Sequence, residues 1–250
     1  MDELFVIIPG FGSPNINHKI EILESNINTI HSQWFSNKVF ITIYVYDPDI
    51  IQIIPKKLFN NTNIKWIIQK GIIGNYLLQF SNDIQYNDNS YLLILLDDVQ
   101  LNNNIKLSKM IEYLNDFSLD IISPCLTHDS KYQFNYMLQT PNNENVLFIT
   151  NACELFCYFM KFKTFKLKYS EYINDKNPWM WGMDMMLYNY FKLKVAIING
   201  MTMTHYYKND SYNETLPNPF EGQKILFERY NTSMEELSKQ KAVRYVIYEI

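Results

Sequence analysis

The sequence predicts an α/β fold whose sheet is mostly parallel. Short apolar runs of strand length alternate with segments of helical periodicity from the first residues onward. One apolar run, at 91–96, ends in two adjacent carboxylates, Asp97 and Asp98. The carboxyl ends of parallel strands meet at one edge of a sheet, where ligands of this fold class gather. We therefore expect helices on both faces of the sheet and a binding site at that edge.

Each element is predicted from a local pattern. Strands are expected where apolar residues cluster beside turn signals, and helices where apolar residues recur every three or four positions. The strands are predicted at 4–9, 38–46, 63–69, 91–96, 119–124, 146–150 and 193–198. The helices are predicted at 17–35, 70–80 and 105–117, and another begins at Met183. An aromatic cluster within residues 151–168 is typical of a protein core.

The size and composition of the chain fit one domain over residues 1–250. Its 250 residues are 47% hydrophobic and 16% aromatic, which is ample for a core. The formal net charge of −4 and the pI near 5.6 argue against a binder of duplex DNA, which needs a clustered excess of lysine and arginine. We expect no nucleic-acid partner.

The cysteines and the longest apolar runs indicate where the protein functions. Cys125, Cys153 and Cys157 are odd in number and lie among apolar residues, which predicts reduced thiols and gives little support for a zinc site. The sequence shows no signal peptide and no apolar run long enough for a membrane span. We therefore expect a cytoplasmic protein.

Asp97 and Asp98 supply the hard oxygen ligands that Mg²⁺ and Mn²⁺ prefer. Such ions are usually shared with the phosphates of a substrate. The acid pair therefore indicates a metal-dependent enzyme that acts on a nucleotide-diphosphate substrate.

The first half of the chain has the pattern of a Rossmann-like, nucleotide-binding unit. The first predicted strand runs into a loop with Gly10 and Gly12, where a ligand could approach the backbone. The same loop also fits a plain strand-to-helix turn, because the third glycine of the dinucleotide fingerprint is missing. Asp47 follows the second strand, where an acid often meets a ribose, although an Asp-Pro turn needs no such reason.

A second informative stretch lies between residues 177 and 191. Trp179, Trp181 and Gly182 precede a segment that favours a helix, which places Asp184 in its first turn. An acid at a helix N-terminus has a purely structural explanation. An aromatic wall also suits a sugar, and it would raise the pKa of the carboxylate towards that of a useful base.

His205 follows the last predicted strand and lies between Thr204 and Tyr206. A single histidine is by default a satisfied polar residue. A neutral imidazole at a loop edge is also a competent Mn²⁺ ligand.

With these motifs in order, the chain resembles the GT-A class of nucleotide-sugar-dependent glycosyltransferases. The resemblance rests on FVIIPGFG at 5–12, LLILLDDV at 92–99, the W-G-x-D element at 181–184 and the later His205. The chain is also similar to a family of largely uncharacterised plant and microbial proteins, in which a Lys-Gly pair, here Lys70 and Gly71, precedes the acidic strand. The resemblance covers residues 4–207.

The resemblance implies a role for each motif. Asp98, with Asp97 beside it, corresponds to a D-x-D site for metal and diphosphate, and His205 to the remaining ligand of an Mn²⁺ or Mg²⁺ ion. Asp184 falls where inverting members keep the catalytic base. Trp179, Trp181 and Gly182 would form a wall for the acceptor or sugar. The nucleoside would face Pro9, Gly10, Phe11, Gly12, Asp47, Lys70 and Asn75.

The implied activity is transfer of a sugar from a nucleotide-diphosphate sugar, with UDP-sugar favoured, to a hydroxyl group of a glycan or another acceptor. The reaction would be one in-line displacement with inversion at the anomeric carbon. The nucleotide-binding half would span 1–124, the acceptor and catalytic half 125–210, and a C-terminal extension 211–250.

The acidic motif departs from a strict D-x-D, which needs an acid at 96 or 99, where the chain has Leu96 and Val99. Either Asp98 and His205 hold the ion while Asp97 meets the sugar or ribose, or metal binding is weakened. A sugar nucleotidyltransferase and a nucleotide-sugar-binding pseudoenzyme stay open as alternatives. An α/β-hydrolase is excluded, because no G-x-S-x-G elbow follows any predicted strand.

Overall fold

The computed structural model describes residues 2–36, 38–132, 135–141, 146–207, 217–239 and 245–249. Within them, strands and helices alternate along the chain. The strands are β1 (Glu3–Phe11), β2 (Val39–Val45), β3 (Ile64–Ile68), β4 (Ser90–Leu95), β5 (Val99–Leu101), β6 (Ile121–Leu126), β7 (Val146–Thr150), β8 (Cys157–Lys161), β9 (Val195–His205) and β10 (Tyr245–Glu249). The helices are α1 (Ile16–Gln33), α2 (Lys56–Phe59), α3 (Ile73–Asp83), α4 (Leu107–Asp116), α5 (Phe162–Leu167), α6 (Pro219–Arg229) and α7 (Met234–Lys239).

These strands join one mixed sheet in the order β10-β7-β9-β6-β8-β4-β1-β2-β3, with β5 paired to β9 outside this path. Strands β1 to β4, β6, β9 and β10 run in one direction, and β5, β7 and β8 run in the opposite one. Helix α3 packs on β1, α5 on β4 and β8, α4 on β6, and α1 on β5. The predicted α/β fold with a mostly parallel sheet is confirmed.

Strand β4 lies between β1 and β8, and every one of its residues is buried. A strand buried on both faces is apolar throughout instead of alternating, which explains its sequence. The aromatic cluster predicted as core packs beside it, and its buried members are Phe156, Tyr158, Phe159, Phe162 and Phe165. The first carboxylates after this strand, Asp97 and Asp98, follow directly beyond its apolar residues.

The register of the parallel strands aligns their carboxyl ends. Ile7 of β1 lies opposite both Thr42 of β2 and Ile94 of β4. Because the three strands are parallel and in step, the loops that follow them meet at one edge of the sheet.

The chain turns directly after the acid pair and forms β5. This strand is antiparallel to β9, and Val99 lies opposite His205, which brings the histidine to the acid pair. The buried Asn26 of α1 fixes β5 from the helix side. Its amide group donates to the Val99 carbonyl at 2.7 Å, and its carbonyl oxygen accepts from the Leu101 N–H at 2.8 Å.

The prediction of a helix from Met183 is wrong. Only a 3₁₀ turn, Met183–Met185, forms, after Gly182 in a left-handed conformation with φ of 83°. Met186 and Leu187 are buried beyond it. Tertiary packing of these side chains therefore overrides their preference for a helix.

The predicted end of the last strand at 198 is also wrong. Strand β9 continues through Asn199 and Gly200, beside a register shift against β6, and ends at His205. The polar residues that indicate a loop are thus accommodated at an irregularity within the sheet. His205 belongs to a strand and not to a loop.

The C-terminal part lies partly outside the described residues, which omit 208–216 and 240–244. The segment from Met234 contains α7 and β10. Strand β10 pairs with β7 at one end of the sheet.

All three cysteines are buried, and none of them forms a disulfide with another described residue. In the described ranges, no helix combines the length and the apolar character that a membrane crossing requires.

Asn26→Leu is expected to lower the free energy of unfolding by about 2–4 kcal/mol, because it leaves two buried backbone groups of β5 without a partner. Urea unfolding measures the change. Asn28→Leu is the matched control, since Asn28 is exposed on the same helix, and its effect should stay within about 0.5 kcal/mol. Equal stability of the Asn26→Leu variant and the wild-type protein would contradict this role of Asn26.

Candidate active site

Asp97 lies at the end of β4 and contacts the first loop and the first helix. Its Oδ2 atom is 2.8 Å from the Lys19 ammonium and 3.4 Å from the backbone nitrogen of Gly12, which donates to it. Lys19 also donates to the Gly12 carbonyl at 2.9 Å. Burial and the neighbouring Asp98 raise the pKa of Asp97 to about 7, while Lys19 and the Gly12 N–H oppose the increase.

Asp98 faces the other way and contacts His205. The Asp98 Oδ2 and His205 Nε2 atoms are 3.2 Å apart, and both side chains are buried. The His205 Nδ1 atom lies 2.5 Å from the Lys131 carbonyl oxygen. Nδ1 can therefore donate to this carbonyl, which leaves Nε2 directed at the carboxylate.

His205 is also held from its other sides. Phe156 stacks on the imidazole with ring centroids 4.3 Å apart, and the His205 N–H donates to the Ser130 hydroxyl oxygen at 3.2 Å. Burial lowers the pKa of His205, but Asp98, the Lys131 carbonyl and Glu154 raise it more, so the net shift is upward.

Tyr46 covers the loop after β1. Its hydroxyl donates to the Ser13 carbonyl, and a Cβ atom at Gly12 would lie 2.6 Å from the ring. A side chain at position 12 would therefore require the Tyr46 ring to move. Burial and the nearby carboxylates, Asp97 first among them, raise the pKa of Tyr46 well above its ordinary value.

Tyr207 and His18 also lie beside the acid pair. The Tyr207 hydroxyl is 2.5 Å from His18 Nδ1, and the pKa of Tyr207 is raised by burial and by the charges of Asp98 and Asp97. The Tyr206 N–H donates to the Asp98 carbonyl at 3.1 Å. The segment that follows β9 therefore places both tyrosines beside the acid pair.

Asp184 is linked to this cluster through a loop. Its carbonyl accepts from the Cys153 N–H at 3.1 Å, and the same loop carries Phe156 onto His205. No hydrogen bond or ion pair recorded between described residues joins Asp184 directly to Asp98. Burial raises the pKa of Asp184 to about 6, against the opposing effect of backbone N–H groups.

The two tryptophans before Asp184 differ in setting. Trp179 donates from Nε1 to the Pro217 carbonyl at 2.7 Å. Trp181 is exposed and meets Phe220 edge to face at 5.0 Å. A Cβ atom at Gly182 would lie 2.7 Å from Phe227, so this glycine permits close packing of α6.

The residues predicted to face a nucleoside are spread along the sheet edge. Both carboxylate oxygens of Asp47 are engaged, one by the Ser13 hydroxyl at 2.7 Å and the other by the Asp49 N–H at 3.2 Å. Asn75 accepts from the Ile72 N–H and caps α3, and Lys70 is exposed.

Strand β1 continues to Phe11 and not only to residue 9, so Gly10, predicted to lie in a loop, belongs to the end of the strand. Gly10 has φ of 117° at a register shift between Pro9 and Phe11. The Phe11 side chain is fully buried against Trp66, so only its backbone can face a ligand.

Sequence reasoning missed Lys19, Glu154 and Tyr46. Lys19 stands four residues before Leu23 on the buried side of α1, so helical spacing could have identified it as an unusual buried charge. Glu154 is buried within an apolar stretch, which is also an informative position for an acid. Nothing local distinguishes Tyr46 from other aromatic residues that follow strands.

A surface cavity of about 360 Å³ lies away from the predicted residues. It is lined by Ile149, Tyr188, Asn189, Lys192 and Lys194. The acid pair therefore does not lie in this cavity.

The sequence matches no family model and no curated protein sequence. In fold it is similar to solved structures. A crystal structure of GalNAc-T7 with UDP, GalNAc and Mn²⁺ aligns with a TM-score of 0.63 and 10% identity, over 94% of this chain and 50% of that chain. TarS from S. aureus aligns with a TM-score of 0.56 and 12% identity, over 95% of this chain and 41% of that chain.

The chain has the GT-A fold of nucleotide-sugar glycosyltransferases. A structure of TarS residues 1–349 in complex with UDP also aligns with it, with a TM-score of 0.55 and 12% identity, over 95% of this chain and 68% of that chain. The chain spans about half the length of GalNAc-T7 and less of full TarS. At these identities the likeness concerns the GT-A fold.

The stability of this GT-A domain should depend on pH through His205. A histidine whose folded pKa lies above its unfolded value near 6.5 contributes stability below that value and loses it as pH rises through the folded pKa. The stability difference between wild type and His205→Gln should therefore be largest below about pH 6.5 and shrink as pH rises above that value.

Urea unfolding at several pH values measures this difference. His31→Gln is the control, because His31 is exposed on α1. A difference that stays constant with pH would show that no charged pair forms between His205 and Asp98.

Proposed function

We propose that the chain is a metal-dependent glycosyltransferase, which moves a sugar from a nucleotide-diphosphate sugar to a hydroxyl acceptor. The observation that carries the proposal is the contact between Asp98 and His205 at the carboxyl edge of a GT-A sheet. UDP-sugar is the favoured donor, since UDP is bound in the GalNAc-T7 and TarS structures. The acceptor is a glycan or another hydroxyl compound.

The Asp98–His205 pair fits a divalent cation. A carboxylate oxygen and an imidazole nitrogen form a donor set that Mn²⁺ accepts. The Lys131 carbonyl orients His205 through Nδ1, as the outer partners of metal-binding histidines do. No cluster of three or more His, Cys, Asp or Glu ligands occurs in the part of the chain that the structure describes. Phosphate oxygens and water would therefore complete the coordination.

The Oδ2 atom of Asp97 is already engaged by Lys19 and Gly12, so in this proposal Asp97 serves the loop after β1. Asp98 and His205 would hold Mn²⁺ or Mg²⁺, and this division accounts for the departure from a strict D-x-D motif. When bound, the ion would offset the negative charge that develops on the departing diphosphate.

Asp184 is the proposed base. With a pKa of about 6, its carboxylate is mostly ionised at neutral pH and is also close enough to neutrality to accept a proton efficiently. As the acceptor oxygen bonds to the anomeric carbon, the bond from that carbon to the diphosphate oxygen would break and the nucleoside diphosphate would leave. The hydroxyl proton would pass to Asp184, and the configuration of the anomeric carbon would be inverted. Exposed Trp181 would provide an apolar face for the acceptor or sugar.

In this proposal the nucleotide-binding half is 1–124 and the acceptor half 125–210. The loop Pro9–Gly12 and Asp47 would face the nucleoside, with Lys70 and Asn75 further along the same edge. A sugar nucleotidyltransferase and a nucleotide-sugar-binding pseudoenzyme are the rival functions, because paired acids on a parallel sheet also serve them.

Calorimetry of UDP binding in Mn²⁺ and in EDTA tests the donor site. We expect Mn²⁺ to strengthen binding to the wild type, and Asp98→Asn to remove this gain. Asp116→Asn is the control, since Asp116 is exposed on α4. UDP binding that does not respond to Mn²⁺, or is absent, would reject a metal-dependent transferase.

Turnover of a nucleotide sugar tests the base. Asp184→Asn should slow transfer by about 10²–10⁴-fold and leave UDP affinity nearly unchanged, because the base acts in the chemical step. Wild-type turnover should rise as pH increases through about 6, where Asp184 ionises.

Asp175→Asn is the matched control, since Asp175 is exposed before the tryptophans. Product analysis separates the enzyme classes, because a glycosyltransferase releases a nucleoside diphosphate and a nucleotidyltransferase pyrophosphate. An equal loss of UDP affinity in the Asp184 and Asp98 variants would contradict the division of roles.

A further inference from the structure

Lys19 is a buried cation that joins three elements at the site. Lys19 is only 7% exposed, and its ammonium lies 2.8 Å from Asp97 Oδ2 and 2.9 Å from the Gly12 carbonyl oxygen. The Gly12 N–H points back to the same carboxylate oxygen at 3.4 Å. Helix α1, the loop after β1 and the end of β4 are thus tied together at one point.

A buried ion pair is weak support for stability, because desolvation of both charges offsets most of their attraction. Stability alone therefore does not explain the Lys19–Asp97 pair, and its geometry indicates a positional role. Lys19 holds the Gly12 carbonyl directly and, through Asp97, the Gly12 N–H, while the Tyr46 ring lies against Gly12. Movement of Gly12 would therefore break one of these contacts.

The ion pair also divides the two acids of the motif. Asp97 is turned to Lys19 and Gly12, whereas Asp98 is turned to His205. Two carboxylates that share neither partner can serve different purposes.

We infer that Lys19 is a positioning residue of the donor site: with Asp97 it fixes Gly12 and the end of β1 before it against the nucleotide, so that Asp97 serves this segment and not the metal. The inference rests on the proposed nucleotide-sugar site. It adds the assignment of Lys19 and separates the roles of the two adjacent acids.

The test uses Lys19→Met, Asp97→Asn and the double variant in the full chain. UDP affinity is measured by calorimetry in Mn²⁺ and in EDTA, and stability by urea unfolding. Lys109→Met is the matched control, because Lys109 lies on α4 and pairs with Glu112 at the surface.

Each of the three variants should weaken UDP binding by about tenfold, because the nucleotide would then have to order the released segment itself. The loss should be the same in Mn²⁺ and in EDTA, so that the gain from Mn²⁺ is preserved. The double variant should bind UDP as tightly as the single variant with the lower UDP affinity, since the two residues act as one unit.

The double variant also protects the test against unfolding. It removes both buried charges, so its stability should recover relative to the single variants. If its UDP affinity recovers as well, Lys19 has only a structural role and the inference is wrong.

Other results would also overturn the inference. Loss of the Mn²⁺ gain in Asp97→Asn would make Asp97 a metal ligand, and additive losses in the double variant would mean that the residues act independently. A wild-type protein that binds no UDP would reject the proposed function and this inference together. Metal-enhanced UDP binding that Lys19→Met leaves unchanged would reject the inference alone.

Discussion

The burial of β4 on both faces determines where the chemistry of this protein can lie. An ionised carboxylate inside that strand would lose its hydration without compensation, so acids can follow only where the strand leaves the core. The in-step parallel pairing of β4 with β1, and of β1 with β2, then places the loops after these strands at the same edge. The position of the acid pair is thus a consequence of core packing.

Around that edge, the two carboxylates have opposite surroundings. Asp97 meets a buried ammonium and a peptide N–H, whereas Asp98 meets an imidazole that a backbone carbonyl orients. One acid of the pair can therefore hold a loop in place, while the other contributes a ligand for a cation. Antiparallel pairing of β5 with β9 supplies the histidine, and Asn26 holds β5 in place from the helix.

Much of the fold could be predicted because its signals are local. The apolar run of β4, its acidic end and the periodicity of α1 are all visible in short windows of sequence. The order of Asp98, Trp181, Asp184 and His205 along the chain likewise indicated the fold class. The helix expected after Gly182 does not form, because burial of Met186 and Leu187 depends on distant partners.

The pairing within the site could not be predicted in the same way. Which acid faces Lys19 depends on side-chain directions in the turn after β4, and Gly12 and Asp97 are 85 positions apart. The length of β9 depends on a register shift against β6. Asn199 and Gly200 are typical of a loop, so the sequence does not indicate that the strand continues through them. The burial of Lys19 was readable from its spacing to Leu23, but its partner was not.

The central claim is that the acid pair is divided, with Asp98 and His205 forming the cation site. Anomalous scattering of Mn²⁺ in crystals grown with UDP tests it most directly. We expect one manganese peak in contact with Asp98 and His205, and a Lys19–Asp97 pair that stays intact. A peak bound to Asp97 with Lys19 displaced, or no peak near His205, would contradict it.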